Sequence, residues 1–400
     1  MTSPTPRTPL DPASADFALD EMPGDALHGL LRAYREAGPI VPARFMGQGA
    51  RVIAGHDALD EAFRDEASFP GHRMYQASFE PAIGASFISD PDPASHLRTR
   101  KLATPAFRSR AVSRFSAEGI APLAHELLDG LADRDHFDLV TEFTARLPYL
   151  VITRLLGLPR EREEEFHAWA LALLTFRDDP ERALEARAAL SDFLAPVVEA
   201  RRADPRDDVI SELVASEVDG RRLRDEEVFS HVRLLFPTGG ETTHGSLGNL
   251  LSTLFTHEDQ WQRLVADPSR IERTVAEGLR YETPIAVLPR RSASAPTRFR
   301  GHEIPPDTWV LFAIAGANRD PDLVTEPDRF DPDREQPPNL VFGRGPKSCP
   351  GLHLARRNME VALGVLTERL PRLALEDEDA AIPRRTVLRS PDALHVRRLD

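Results

Sequence analysis

Apolar residues at helical spacing dominate the middle of the 400-residue chain. Positions i, i+3 and i+4 are repeatedly apolar between about residues 96 and 282, which is the pattern of helices that bury one face. Shorter stretches with the same pattern predict helices at 25–37 and 352–370. The long helices predicted between them cover 118–133, 139–156, 160–174, 180–202, 224–256 and 269–281.

Strand-like segments are short and lie mostly outside this helical region. Residues 41–46 and 51–54 flank a glycine-rich turn and predict a hairpin, and 69–95 predict a long irregular apolar loop. Further strands are expected at 285–292, 297–300, 308–313, 386–388 and 394–399. The predicted fold is therefore mainly α, a single large helical domain with small β-sheets. We expect a loose N-terminal tail over 1–20 and this one domain over 21–400.

Charge and apolar content exclude several classes of protein. The chain carries 50 Lys and Arg residues against 64 Asp and Glu residues, a net charge of −14, so a nucleic-acid binder is not expected. The longest apolar stretch, residues 309–317, is far shorter than the ~20 residues of a membrane-spanning helix. Since no early segment has the charged start and apolar run of a secretory signal, we expect a cytoplasmic protein.

The single cysteine, Cys349, is the most restrictive feature of the composition. One cysteine excludes an intrachain disulfide, a CxxC zinc site and an iron–sulfur cluster built on this chain alone. Cys349 lies among glycines directly before the helix predicted at 352–370, where the helix dipole, free N–H groups and nearby Lys347 are expected to lower the pKa of the thiol. Such a thiolate is a metal ligand or a nucleophile; the alternative is a small buried apolar side chain.

The segment around this cysteine resembles a known haem-binding loop. Phe342 to Gly351 has the sequence F-G-R-G-P-K-S-C-P-G, which matches Phe, Gly, any, Gly, any, basic, any, Cys, any, Gly in the cytochrome P450 family. The resemblance, to the soluble bacterial type, implies a fold that encloses haem b, with Cys349 as the axial thiolate of its iron. It also implies cofactor contacts from Phe342 and Gly343, and from Lys347 as a cation for a haem propionate.

The helix predicted at 224–256 carries a second motif. Pro237 and two neighbouring glycines cost this helix several kcal/mol (~3 for Pro and ~1 for each Gly), and a break in mid-helix opens room for a ligand or water. The segment resembles the distal helix of the same family. The resemblance implies that Glu241 belongs to the proton-delivery path and that Thr242 hydrogen-bonds dioxygen, a pairing that suits proton transfer.

Arginines in family-like spacing supply candidate ligands for the haem propionates. His96 and Arg100 match the family pattern His-x-x-x-Arg, and Arg291 fits the Arg-x-Ala spacing of a later strand. Arg suits a carboxylate because its guanidinium donates in pairs. Arg290 is the alternative to Arg291, since neighbours on a strand face opposite sides and only one of them is expected to reach the haem.

The resemblance implies a haem-thiolate monooxygenase of secondary metabolism that activates dioxygen to hydroxylate or epoxidise a hydrophobic small molecule, namely a terpenoid, steroid, fatty acid or polyketide-like compound. No flavin or iron–sulfur domain is recognisable, so electrons are expected from a separate ferredoxin and its reductase. We expect a monomer. The alternatives are a non-catalytic haem-thiolate sensor or binding protein and a peroxide-driven oxidase on the same site.

The basic residues that are expected to attract an acidic electron donor are Arg98, Arg100, Lys101, Arg108, Arg110, Arg344, Lys347, Arg356 and Arg357.

Overall fold

Helices account for most of the chain in the computed structural model, which describes residues 10–107 and 109–399. The predicted mainly α fold with small β-sheets is confirmed. In chain order the α-helices are α1 (Gly24–Ala37), α2 (His56–Arg64), α3 (Gly71–Ser78), α4 (Glu80–Ile83), α5 (Pro93–Ala103), α6 (Ser109–Asp129), α7 (Leu147–Leu156), α8 (Glu163–Leu174), α9 (Pro180–Ala203), α10 (Val209–Ala215), α11 (Asp225–Thr256), α12 (Glu258–Ala266), α13 (Ile271–Tyr281), α14 (Ile314–Ala317) and α15 (Leu352–Arg369).

The strands are short, as the sequence predicts. They are β1 (Val41–Phe45), β2 (Gln48–Ile53), β3 (His136–Asp138), β4 (Glu217–Val218), β5 (Arg221–Arg222), β6 (Leu288–Arg291), β7 (Thr297–Phe299), β8 (His302–Ile304), β9 (Trp309–Phe312), β10 (Leu373–Leu375) and β11 (His395–Arg398).

Three of the predicted helices, strands and loops need correction. At 386–388, where a strand is predicted, Val387 forms only an isolated bridge to Ile285. The helix predicted over 139–156 is divided: Val140–Thr144 form a π-helical turn, and α7 begins afresh at Leu147 with a proline in its first turn. Proline favours that position because its missing N–H has no intrahelical partner there. The loop predicted over 69–95 contains α3 and α4, and α5 begins at Pro93 within it. Elements this short do not complete enough turns to show a helical period.

The described residues divide into two units. The first unit comprises residues 10–70, 245–345 and 374–397. It contains a four-stranded sheet in the order β1-β2-β9-β6, in which β1 pairs antiparallel with β2, β2 parallel with β9, and β9 antiparallel with β6. Its apolar core includes Ile53, Leu59, Phe63, Val310 and Phe312, each at most 7% exposed.

A buried ion pair braces the same unit. Glu277 and Arg280 on α13 are both 0% exposed and form a two-pronged salt bridge at 2.8 Å. Arg280 also donates to the carbonyl oxygens of Pro327 and Arg329, while Arg334 donates to Glu277. Buried charges are tolerated when hydrogen bonds satisfy them in this way, so the pair fixes the loop that follows α14.

The second unit comprises residues 71–107, 109–244, 346–373 and 398–399. It is almost wholly helical: α6 packs on α15 and α7, and α8 and α10 pack on α9. Helix α11 is continuous from Asp225 to Thr256, and its residues up to His244 belong to this unit. Its segment around Pro237 is helical throughout, so the proline does not end the helix.

The loose tail expected over 1–20 is corrected for the part that the structure describes. Phe17 is 2% exposed and its ring centroid lies 5.7 Å from that of Tyr34. Asp16 accepts backbone N–H bonds from Met46 and Gly47. Residues 1–9 lie outside the described range. The expectation of one domain over 21–400 stays a prediction.

The helices of residues 10–107 and 109–399 include none that combines the length and the apolar character needed to cross a lipid bilayer.

Candidate functional site

Cys349 lies in the second unit, two residues before Gly351, which is the N-cap of α15; the helix itself begins at Leu352. The backbone N–H of Gly351 donates to the sulfur, and Arg100 is the nearby cation; both lower the pKa of the thiol. Burial outweighs them, so the net pKa of Cys349 is raised above its ordinary value. The predicted lowering of this pKa is therefore wrong for the protein chain alone, because desolvation disfavours the thiolate more than one N–H group and one guanidinium favour it.

Lys347 and His96 connect this loop to the segment before α5. The Lys347 ammonium donates to the carbonyl oxygens of Ile88 at 2.9 Å, Asp90 at 3.2 Å and Phe87 at 3.4 Å. His96 is 3% exposed; its Nδ1 lies against the Phe87 carbonyl oxygen, and its Nε2 is 3.1 Å from that of Pro346. The sequence proposed both residues for the cofactor, and the structure brings them together, with Lys347 Nζ 3.2 Å from His96 Nδ1.

Arg100 presents an unsatisfied donor beside the cysteine. Its Nη2 donates to the Ser348 carbonyl oxygen at 2.6 Å, whereas Nη1 is buried and has no hydrogen-bond partner. Burial lowers the pKa of this guanidinium from its ordinary value, although Cys349 opposes the shift. A buried N–H group without an acceptor is costly. An anionic oxygen is the partner that it lacks, and a haem propionate has that chemistry.

Glu241 and Thr242 are neighbours on α11 in the same unit. The Thr242 hydroxyl donates to the Thr238 carbonyl oxygen one turn earlier at 2.8 Å, and Thr243 makes the equivalent bond to Gly239 at 2.9 Å. A hydroxyl group can accept hydrogen bonds on its oxygen while it donates one. The Glu241 carboxylate accepts a hydrogen bond from Tyr149 Oη on α7 at 3.1 Å.

Two residues that the sequence did not single out surround Glu241. Tyr149 is 1% exposed, and burial together with the Glu241 carboxylate holds the pKa of its phenol well above the ordinary value. The His167 ring centroid on α8 lies 4.3 Å from that of Tyr149. Burial lowers the pKa of His167, while the Glu241 and Glu163 carboxylates act in the opposite direction. Only the apolar periodicity of α7 marked the position of Tyr149, and it marked a core residue.

The first unit holds the remaining predicted residues. Phe342 is half-buried, and Gly343 adopts φ 65°, a left-handed conformation that favours glycine. Arg291 on β6 donates to the Asp307 carbonyl oxygen at 2.5 Å, and its guanidinium carbon lies 3.8 Å from the Trp309 ring centroid. Arg290 is 4% exposed and faces the Phe312 ring, with 5.8 Å from its guanidinium carbon to the centroid. The two arginines thus take different surroundings, as alternation on a strand requires.

The second unit therefore places a thiol, two cations and a buried imidazole in the loop before α15 or against it. A cysteine sulfur ligates soft metals, and cationic side chains bind carboxylates. These groups therefore suit a metal held in an organic ring that carries carboxylate groups. The acid–alcohol pair on α11 belongs to the same unit and can pass protons.

Comparisons with known proteins agree with this chemistry. The family model described as "Cytochrome P450" matches residues 165–391. The chain is 36% identical over 377 residues to the Erythromycin C-12 hydroxylase of Saccharopolyspora erythraea, covering 90% of this chain and 92% of that protein. It is 37% identical to the Vitamin D(3) 25-hydroxylase of Pseudonocardia autotrophica, over 74% of this chain and 73% of that one. The solved structure of cytochrome P450 CYP109Q5 from Chondromyces apiculatus superposes with a TM-score of 0.85 at 30% identity, covering 93% of this chain and 95% of that one.

A Lys347→Met variant tests how the cysteine loop is held. Without the ammonium, three carbonyl oxygens of residues 87–90 lose their common donor, so this segment opens more often. We expect amide hydrogen exchange of residues 86–90 to quicken by roughly tenfold or more, since a charge-assisted hydrogen bond is worth about 1.5–3 kcal/mol. Arg357→Met, which removes an exposed cation of α15, is the matched control. Unchanged exchange over 86–90 in Lys347→Met would show that the ammonium does not hold the segment.

Proposed function

We propose, since the chain belongs to the cytochrome P450 family, that it hydroxylates or epoxidises a hydrophobic small molecule with dioxygen. As a member of that family it is a monooxygenase, an oxidoreductase, and its cofactor is haem b with an axial cysteine thiolate. The observation that carries the proposal is the position of the one cysteine. Cys349 precedes α15 in a loop whose neighbour Arg100 keeps a buried donor free for a carboxylate.

The residues of the second unit fit this cofactor. We assign the axial thiolate to Cys349, because the sequence offers no other cysteine. His96, Arg100 and Lys347 are proposed as ligands of the propionates, and the orphaned Nη1 of Arg100 supports that role most directly. Haem supplies, when bound, an iron centre at which dioxygen is reduced and one of its oxygen atoms is transferred.

The cofactor contacts proposed for the first unit rest on motif spacing. Phe342 and Gly343 keep their proposed contacts from the loop motif. Arg291 keeps its proposed propionate contact from the Arg-x-Ala spacing, and the burial of Arg290 maintains it as the alternative.

Glu241 and Thr242 are proposed to manage the protons of the reaction. Hydroxylation places one oxygen atom of dioxygen in the substrate and releases the other as water, which takes two electrons and two protons. A carboxylate can collect a proton from water, and a threonine hydroxyl can accept on its lone pairs while donating its own hydrogen. In the structure the Thr242 hydroxyl donates to the Thr238 carbonyl oxygen, so donation elsewhere requires the hydroxyl to rotate away from that oxygen.

The proposed substrates are apolar and of the size of a steroid or a polyketide-like compound, with terpenoids and fatty acids as the further classes. Two relatives are named for erythromycin and vitamin D(3), which supports the first two classes. Within the second unit, Met74 of α3, Ile83 of α4 and Phe87 are apolar and at most 5% exposed. Apolar side chains of this kind line pockets for such compounds.

Labelled dioxygen tests the proposed reaction. A steroid and macrolide panel is first screened for the spin-state shift that follows displacement of the water on iron, and the compound with the largest shift is turned over under ¹⁸O₂. We expect mass spectrometry to find one ¹⁸O atom in the product and the Glu241→Gln variant to form less of it. Product oxygen drawn from added peroxide in preference to ¹⁸O₂ would establish the peroxide-driven oxidase. Substrate binding without substrate-dependent electron consumption would establish the sensor.

Electrons are proposed to come from a separate ferredoxin and its reductase. In the second unit, Lys101 and Arg357 are exposed cations, and Leu97 on α5 is 52% exposed. Exposed cations suit an acidic partner, because opposite charge speeds the encounter. Arg98 and Arg356 in the same unit are half-buried and Arg344 belongs to the first unit, whereas Arg108 and the Arg110 side chain lie outside the described part.

Salt dependence checks the electrostatic part of this proposal. Reduction by a plant-type ferredoxin, followed by stopped-flow absorbance, should slow as salt rises from about 0.05 to 0.5 M, because the Debye length shrinks from roughly 14 to 4 Å. Lys101→Gln should weaken that dependence, whereas Arg298→Gln, at an exposed position of β7 in the first unit, should not. Salt-independent reduction would contradict steering by charge.

A cytoplasmic monomer remains part of the proposal.

A further inference from the structure

A buried phenol reaches the acid of the acid–alcohol pair. Tyr149 lies in α7, 92 residues before Glu241 in the sequence, and its Oη donates to Glu241 Oε2 at 3.1 Å. The tyrosine is 1% exposed, whereas the carboxylate belongs to a half-buried residue. A hydrogen bond from a neutral donor to a carboxylate in such surroundings is of the strong, charge-assisted kind.

Gly240 makes room for this phenol. A Cβ at position 240 would lie 2.6 Å from Tyr149 Cε1 and 2.7 Å from Cζ, closer than side chains approach. A Cβ on neighbouring Gly239 would meet Ile152 at 3.4 Å, an ordinary contact. The missing side chain at 240 thus allows the ring to lie flat against α11, with its hydroxyl beside the next residue, Glu241. The mid-helix glycine at 240, expected to open space for a ligand, here provides space for a tyrosine.

Two further rings fix the orientation of Tyr149. Phe236, one turn before Gly240, meets it edge-on, with 5.6 Å between centroids and 62° between planes. His167 on α8 lies 4.3 Å away at 41°. The ring is therefore enclosed by Phe236 and Gly240 of α11 and by His167, so its hydroxyl points to one place. A rigid donor aimed at a flexible acceptor restricts the acceptor, since a free glutamate samples several rotamers.

We propose that Tyr149 is a positioning residue for Glu241, holding the carboxylate in a single rotamer from which protons are collected and passed on. The proposal rests on the proposed function, in which Glu241 delivers protons. Because burial keeps the phenol protonated at all ordinary pH values, Tyr149 acts as a permanent donor and is not itself the proton source. The carboxylate then returns to the same place after each turnover. A mobile carboxylate would misdirect the second proton, and dioxygen would leave as hydrogen peroxide with the same two electrons and two protons that hydroxylation uses.

The decisive variant is Tyr149→Phe, which removes the hydroxyl and keeps the ring on Gly240. With a plant-type ferredoxin, its reductase and NADPH as electron source, we expect the ratio of product to peroxide to fall several-fold. The substrate-induced spin-state shift should stay the same, because the ring and the helix are unchanged. Tyr34→Phe is the matched control: it removes another buried phenol, one that donates to the Pro12 carbonyl oxygen at 2.8 Å in the first unit. Its ratio of product to peroxide should equal that of the unmodified protein.

A stability cycle measures the contact without turnover. Tyr149→Phe should lower the folding equilibrium constant about tenfold when Glu241 is present, as expected for a hydrogen bond to a charged group. In a Glu241→Ala background the same change should cost less than about twofold, because the partner has gone. Equal effects in both backgrounds would overturn the proposal, even if activity changed.

The outcomes separate this inference from the proposed function. If Glu241→Gln lowers the product ratio and Tyr149→Phe does not, Glu241 delivers protons without help from Tyr149, and the inference is overturned while the proposed function stands. If Glu241→Gln itself leaves the ratio unchanged, the proton role proposed for Glu241 fails and the inference fails with it. A fall in both variants, with non-additive stability, supports both.

Discussion

The structure around Cys349 depends on cationic side chains whose hydrogen bonds go to backbone carbonyl oxygens. The Lys347 ammonium donates to the carbonyl oxygens of Ile88 and Asp90, and Arg100 donates to the carbonyl oxygen of Ser348. A hydrogen bond to a carbonyl oxygen does not neutralise a guanidinium, and a charge without a full counter-charge is costly in a partly buried site such as that of Arg100. The buried, unpartnered Nη1 of Arg100 is where that cost is most plainly visible. An anionic cofactor would relieve this cost, which is the reason that Arg100 is proposed as a ligand of a haem propionate.

The same reasoning explains the thiol. The helix N-terminus and Arg100 favour the thiolate, but burial disfavours it more, and the pKa of Cys349 is raised in the protein chain alone. A metal ion deprotonates a coordinating thiol outright. If Cys349 ligates iron, as proposed, the metal would stabilise the thiolate that burial disfavours, and the protein chain would exclude water and hold the sulfur.

The features that could be predicted from the sequence are those that contiguous residues encode. The long amphipathic helices and the cysteine loop are written in contiguous residues, so periodicity and a motif predict them. The helices α3 and α4 were missed because they are too short to show a period. The Tyr149–Glu241 contact was missed because it joins residues 92 positions apart, and one apolar-patterned helix says nothing about which residue of another it touches. Gly240 is visible in the sequence as an interruption of the helical pattern. Its packing against the distant Tyr149 ring, which explains why a glycine is needed there, is visible only in the structure.

The absorption spectrum of the reduced, carbon-monoxide-bound protein tests the central claim most directly, because it reports the atom that ligates iron. The purified holoprotein is predicted to show the red-shifted band of a thiolate ligand. Cys349→Ser should lose that band, while Ser348→Ala, next to it in the loop, should keep it. A protein that bound haem without the red-shifted band, or a Cys349→Ser variant that retained it, would contradict the assignment of Cys349 as the axial ligand.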